Sequence, residues 1–365
     1  MARLSRAEQQ VRTRARVLVA AREEFAERGF RDARIDDIAD RAELTRGAVY
    51  SNFPSKRALY FAVLTDLVER AEPPTGPQPP AGTPSQALGA LARAWVGRLP
   101  LTSDDHNPDR LRTGVLAEAI TGDRTRLPFT QLTSLNALLL AMALENLEPR
   151  VPTPRRVRTA EIALTALHGV DHMAASAPGF GDPFDVVRLC EELARLDLDD
   201  VWLPAHLPYV TPAQPHDGAW TPPEAVDAVR GELAWLGADG VVAVLGTHRL
   251  GAIEEAVRAA RPADALTAVI VSDDADELMP LARWAITDFV TCLRRAFAPS
   301  AWPRLRIVLD HQGTVAAAAG LGDVSDETET CIRVRAGRII ARAEGRGASH
   351  AAATYPGAPK PTRID

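Results

Sequence analysis

The stretch ELTRGAVYSNFPSKRALY runs from Glu43 to Tyr60. It is too polar and too thin for a helix made only to pack. Thr45 can cap the free amides of a first helical turn, and those amides with the helix dipole suit an anion. Val49 and Phe53 lie four residues apart and turn inward together with Leu44. Gly47 and Ser51 then face outward, with Arg46 and Tyr50 beside them. Gly47 and Ala48 keep that outward face thin. Pro54 breaks the helix, Ser55 can cap the next one, and Lys56 falls in its first turn.

Upstream, Val17, Leu18, Ala21, Phe25 and Phe30 mark an amphipathic helix closed by Gly29, and Ile35, Ile38 and Ala42 mark a second. A tight turn through Ala42, Glu43 and Leu44 joins the second helix to the third. This is helix-turn-helix geometry. A thin helix face lets the backbone approach base edges. From there Arg46 can give two hydrogen bonds to a guanine, Tyr50 can donate to a phosphate, and Lys56 can hold the backbone across the groove. A plain helical hairpin with a solvated face has the same spacing, so spacing alone leaves both readings open.

Charge favours the first reading. The net charge of −6 hides an asymmetry of +4 over residues 1–60 and −10 over the rest. A basic head on an acidic body suits a localised contact with a polyanion. The 365 residues suggest two or three units, and 46% apolar with 25% charged residues is a globular composition. No unbroken run of about 18 apolar residues appears, so no membrane span is expected. The arginine-rich start lacks the apolar core of a secretory signal. Cys190, Cys292 and Cys331 are odd in number and far apart, which suggests neither a disulfide framework nor a zinc site. The expected compartment is the cytoplasm.

Residues 13–60 closely resemble the N-terminal domain of TetR-type transcriptional regulators. Phe25, Gly29 and Phe30 meet the family's "F-x-x-x-G-[FY]", and Ile38, Ala39 and Ala42 meet "I-A-x-x-A". Thr45, Gly47, Val49, Tyr50, Phe53, Lys56 and Leu59 meet the segment that follows. The resemblance implies that Thr45, Arg46, Gly47, Ala48, Tyr50, Ser51 and Asn52 form the face toward the operator, with Lys56 on phosphate. Two positions depart from the pattern. Glu43 stands where glycine is usual in the turn, and Arg34 stands where a threonine often touches phosphate. Arg34 can make a longer phosphate contact instead.

Two proline-rich stretches divide the chain, residues 72–85 and 203–225. Proline fixes φ and removes an amide donor, so neither stretch is a continuous helix or a central strand. The proline stretches divide the chain into a helix-turn-helix domain over 1–70, an all-helical domain over 71–200, a Pro-rich linker over 201–224 and an α/β domain over 225–355, and the resemblance implies that 71–200 is the ligand-binding and dimerisation domain. Helices are expected near 85–98, 108–121, 128–147, 154–176 and 183–197, the last two with faces suited to a four-helix dimer interface. Trp95, Met142, His168 and His172 are candidate pocket residues. His168 and His172 lie one turn apart, which also permits a metal pair, but no third ligand is evident. Trp95, Met142 and Leu139 at helical spacing are equally core residues.

After residue 225 the pattern changes. VVAVL (241–245), AVIV (268–271) and the run RIVL before Asp310 are short apolar strands separated by helical stretches. TCIRVR and RIIAR then flank Ala336-Gly337 as a hairpin, and a last short helix follows. This α/β order resembles a thioredoxin-like fold. The redox chemistry of that fold does not carry over. GTHRLGA follows the first strand without a cysteine, and the expected cis-proline is missing where SDETETC stands. Cys331 reads as buried and inert, or as an oxidant sensor. GTHRLGA also lacks the Lys-Ser/Thr of a phosphate loop. SDDADE (272–277) reads as a solvated helix start. No catalytic arrangement, cofactor or metal site is expected. The resemblance implies a dimeric, ligand-responsive repressor on a palindromic operator, with a small-molecule effector. The alternative is a regulator that senses redox state, or binds a partner, through the C-terminal domain.

Overall fold

The first helix outruns its apolar stripe. The computed structural model describes residues 5–70, 82–99, 111, 119–120, 122–148, 155–202 and 204–356. Helix α1 spans Arg6–Asp32 and opens on a capping box, in which Glu8 N donates to Ser5 Oγ at 3.2 Å and Ser5 N donates to the Glu8 carboxylate at 2.7 Å. Gly29, at φ +73°, breaks the helical geometry where the sequence places its end, and a further short stretch of helix follows. Helices α2 (Ile35–Arg41), α3 (Arg46–Tyr50) and α4 (Lys56–Arg70) complete the head. Tyr60 on α4 packs edge-on against Phe25 at 5.2 Å and against Phe30 at 5.3 Å. Glu24 on α1 is fully buried and pairs with Arg28 and with Arg41 at 3.1 Å each, which ties α1 to α2.

Helices α5 (Pro84–Val96), α6 (Asp123–Leu147), α7 (Val157–Ser176) and α8 (Asp185–Leu193) form the helical body. The helix expected over 108–121 lies almost entirely outside the described residues, as does the proline stretch up to residue 81. Helix α6 is apolar enough over 18 residues, with mean hydropathy 1.4, to cross a membrane by length and composition. This differs from the expectation from unbroken runs, because Thr133, Ser134 and Asn136 interrupt the run while its leucines keep the mean at 1.4. The window is 61% buried inside the protein, as in a core helix.

The expected linker is in part a strand. Strand β1 (Gln214–Ala219) pairs antiparallel with β8 (Arg338–Glu344), with an irregularity between Pro215 and Gly218. It is an edge strand, where proline's missing donor is tolerated. A small hairpin, β2 (Val226–Asp227) and β3 (Glu232–Leu233), follows. Strands β4 (Gly240–Gly246), β5 (Ala265–Val271) and β6 (Leu305–Leu309) run parallel, and β7 (Glu329–Arg335) lies antiparallel beside β4. The order across the sheet is β1-β8-β7-β4-β5-β6. Ala336 and Gly337, both at positive φ, turn the β7–β8 hairpin. Helices α9 (Ile253–Ala259), α10 (Ala275–Ala296), α11 (Thr314–Ala318) and α12 (Ala348–Thr354) connect or follow the strands.

Both faces of the sheet are covered, so its strands read as apolar runs. Val242, Val244, Val269, Ile332 and Val334 pack with Val315 and Ala316 of α11. On the opposite face Arg333 donates to the carbonyl of Ala353 on α12 at 3.1 Å and pairs with Asp264 at 2.7 Å.

The contacts divide the chain into two compact units that do not follow sequence order. The first holds residues 1–129, 140–199 and 276–302, and the second holds 130–139, 200–275 and 303–365. Helix α10, which joins two strands in sequence, therefore belongs with the helical body. The acidic run expected as a solvated helix start is corrected at Glu277, which is only 15% exposed and pairs with Arg57 at 2.8 Å. Its partner lies 220 residues away, out of reach of any local pattern.

Candidate nucleic-acid interface

Helix α3 stands on a cap and a strained turn. Ala48 N donates to Thr45 Oγ1 at 3.2 Å. Leu44 N closes the turn on Ala39 O at 2.9 Å. Glu43 sits at φ +48°, a left-handed conformation that L side chains adopt at a cost. This is the position where the resemblance expects glycine. Arg16 of α1 supports the turn through the Ala42 carbonyl and through the Glu43 carboxylate at 3.1 Å.

The two faces of α3 separate by burial. Val49 is fully buried and Phe53 nearly so, while Thr45, Arg46, Gly47, Tyr50 and Ser51 are exposed. Ala48 and Asn52 are half-buried at the edge of that face. A Cβ added at Gly47 would meet nothing closer than Thr45 Oγ1 at 3.9 Å. The thinness of the face is therefore not a packing requirement of the protein itself. Ser51 Oγ donates to Ala48 O at 3.0 Å, and Asn52 Nδ2 donates to the same carbonyl at 2.9 Å.

The charged members of the face already have partners. Arg46 Nη1 lies 3.3 Å from the Asp36 carboxylate, and its guanidinium stands 5.5 Å from the Tyr50 ring. The Tyr50 hydroxyl first, and Asp36 next, push the Arg46 pKa up. Lys56 turns inward. Its Nζ donates to Arg31 O at 3.0 Å and Ala33 O at 3.1 Å, and sits 4.9 Å from the Phe30 ring. The ammonium thus caps the end of α1. Arg34 is exposed at the start of α2. Sequence reasoning missed Arg14, which donates to Asn52 O at 3.2 Å and covers the Phe53 ring at 4.2 Å. Burial lowers its pKa, and the nearby Arg283 adds to that effect. No local signal marks Arg14, because its partners lie 38 and 39 residues further on.

The candidate pocket residues part company. Trp95 is buried, its Nε1 donates to Asp171 Oδ2 at 3.0 Å, and its ring meets His168 edge-on at 5.1 Å. Met142 is half-buried and His172 is exposed. Among the described residues no group of three His, Cys, Asp or Glu side chains is placed to hold a metal ion. All three cysteines are buried. Burial pushes the Cys190 thiol up to about 11 and raises that of Cys331 further. The loop after β4, where a redox site was sought, is tied down by side chains. Thr247 bonds Asp326 at 2.8 Å, His248 bonds Glu327 at 2.9 Å, and Arg249 Nε donates to Glu329 at 3.0 Å.

Residues 17–63 match the family described as "Bacterial regulatory proteins, tetR family". Over 56 residues the chain is 45% identical to the HTH-type transcriptional activator FasR of Mycolicibacterium smegmatis, covering 15% of this chain and 26% of that protein. Over 64 residues it is 47% identical to the HTH-type transcriptional regulator SrpR of Pseudomonas putida, covering 18% of this chain and 30% of that protein. The chain thus spans less than a third of the length of these relatives. Among solved structures it is similar to NalD, the secondary repressor of the MexAB-OprM multidrug efflux pump in Pseudomonas aeruginosa, at 22% identity and a TM-score of 0.34 over 52% of this chain and 96% of that one. The capped α3 and its exposed polar face fall within the matched residues: over 17–63 this chain is similar to the N-terminal domain of tetR-family bacterial regulatory proteins.

Proposed function

We propose that the chain is a dimeric, ligand-responsive repressor that grips a palindromic operator with two copies of the α3 face. The observation that carries this reading is the division of α3, with Val49 and Phe53 inside and Thr45, Arg46, Gly47, Tyr50 and Ser51 outside. Arg46 would leave Asp36 to read a guanine, with Tyr50, Ser51 and Asn52 beside it and Arg34 and Lys56 toward phosphate. Dimerisation is supported by large apolar side chains that α7, α8 and the turn between them leave exposed, namely Ile162, Met173, Phe180, Phe184 and Leu189. A small molecule in the helical body would shift the spacing of the two heads and so the affinity for DNA. The proposed organisation is a reading head over 1–70, a helical body over 71–200 that α10 joins, and an α/β domain that takes its edge strand β1 from the proline-rich 201–224 and runs on to 355 without α10. A thioredoxin-like reading of that last domain is supported by its β-α-β-α-β order with a closing hairpin and helix. The proposed compartment is the cytoplasm. Buried thiols with raised pKa values weigh against redox sensing.

The test is a titration of the full-length protein on the duplex upstream of its own coding region, at two salt concentrations, beside Arg46→Ala. The wild type should prefer one palindrome. Arg46→Ala should lose about 1–3 kcal/mol of discrimination and change base preference at one position per half-site. Equal affinity of both proteins for all duplexes would remove the assignment. A reporter fused to that duplex then gives the sign, since one relative is named an activator.

A further inference from the structure

Helix α10 is sequence-remote from the reading head, yet it carries the groups that hold α4. Glu277 in its first turn pairs with Arg57 at 2.8 Å and accepts from the Ser55 hydroxyl, so both ends of one carboxylate grip the start of α4. Two turns further on, Trp284 stacks on Phe61 of α4 at 5.9 Å and 19°, and on Phe129 of α6 at 6.3 Å and 13°. Arg57 Nε also donates to Ala119 O at 3.1 Å. From α4 the head follows directly. Tyr60 packs on Phe25 and Phe30, and Lys56 caps the end of α1. Any shift of α10 relative to the body therefore moves the helix on which the head is mounted.

We propose that Glu277 and Trp284 are positioning residues for DNA reading: through α4 they set where the α3 face stands. This rests on the operator-binding reading above and extends it to a helix that lies between β5 and β6 in sequence. Two observations support a seat that α10 can leave. Among the described residues the buried indole Nε1 of Trp284 has no hydrogen-bond partner, and the same holds for Nε of Arg98, which pairs with Asp288 on the same helix through its other nitrogens. Buried donors without acceptors raise the free energy of the arrangement that holds them. Arg283 of α10 also stands close enough to Arg14 of α1 to lower its pKa, and the two like charges oppose close approach.

The experiment uses the full-length protein and the tightest duplex that the wild type recovers from a randomised pool. Glu277→Gln keeps the shape and removes the charge. Its affinity for that duplex should change about tenfold, the size of an ordinary coupling between sites. The dependence on salt should stay as in the wild type, because no phosphate contact is altered. The exchange Arg57→Glu with Glu277→Arg should restore affinity to within about threefold, as rebuilding the pair restores the coupling. A purely structural ion pair would instead lower the unfolding midpoint and leave the affinity of the folded fraction within about twofold, and that result overturns the proposal. So does a charge exchange that folds but fails to restore affinity. Trp284→Phe, which keeps the stack and removes the unpaired donor, guards against misfolding of the charge variants. It should alter affinity while the protein stays folded, and unchanged affinity counts against the proposal. A wild type that recovers no preferred duplex overturns the operator-binding reading itself.

Discussion

Helices α3 and α10 differ in how far their meaning reaches along the chain. Helix α3 has five residues and is specified locally, by a cap three residues from its donor and a turn of three residues. Helix α10 has 22 residues, lies between two strands, and is specified as a helix by its own periodicity. Yet its polar partners stand 190 and 220 residues away, at Arg98 and Arg57. A short helix with an outward polar face declares its use. A long one with a charged first turn declares only that it is a helix.

The sharpest way to break this comparison is at Gly47. Among the described residues no atom lies closer than 3.9 Å to a Cβ placed there. Gly47→Leu should therefore leave the unfolding midpoint nearly unchanged and still cost about 100-fold or more in specific affinity, most of the margin over non-specific binding. A loss of stability in step with affinity would mean that α3 is thin for packing. The corresponding change on α10 is Asp288→Ala, which strands a largely buried Arg98, the two side chains being 8% and 13% exposed. It should destabilise the protein by about 3 kcal/mol in denaturant titration. A change below about 1 kcal/mol would place α10 outside the folded helical body.

Smaller effects sharpen the same contrast. Glu43→Gly should stabilise the protein by about 0.5–1 kcal/mol, since it relieves a left-handed residue at the loss of one exposed ion pair to Arg16. Lower stability would show that Arg16 and Glu43 hold the turn. The smallest effect concerns pH. Burial, with Glu191 adding to it, raises the Cys190 pKa from 9.0 to about 11, so the folded protein keeps a proton that the unfolded chain gives up. The stabilisation is full below about pH 9 and is lost as pH rises toward 11. Unfolding midpoints measured across that range should fall less steeply in Cys190→Ala, and an equal slope would place the loss at other groups.

Much of the fold was legible because its signals are local. Thr45 caps α3 and Ser55 caps α4 as their positions require, and Ala336-Gly337 turns a hairpin between two alternating runs. The order β4-β5-β6 followed by β7-β8 can be read from apolar runs alone. Strand β1 was not legible, because Pro212 and Pro215 argue against a strand unless it is known to lie at an edge. At the DNA face, residue identities were legible and their present partners were not. The Asp36 carboxylate on Arg46 and the carbonyls on Lys56 come from neighbouring helices, and only packing brings them near.

By itself the sequence determined most of the helices, the strands β4 to β8 and which face of α3 is polar. Those properties depend on residues within one or two turns of each other, where the spacing of side chains is fixed by backbone geometry. Tertiary structure alone decided that α10 belongs with the helical body, that Glu277 is buried against Arg57, and that Trp284 stacks between Phe61 and Phe129. These depend on contacts across roughly 150 to 220 residues, for which a charge or an aromatic ring in the sequence names a requirement but not the partner that meets it.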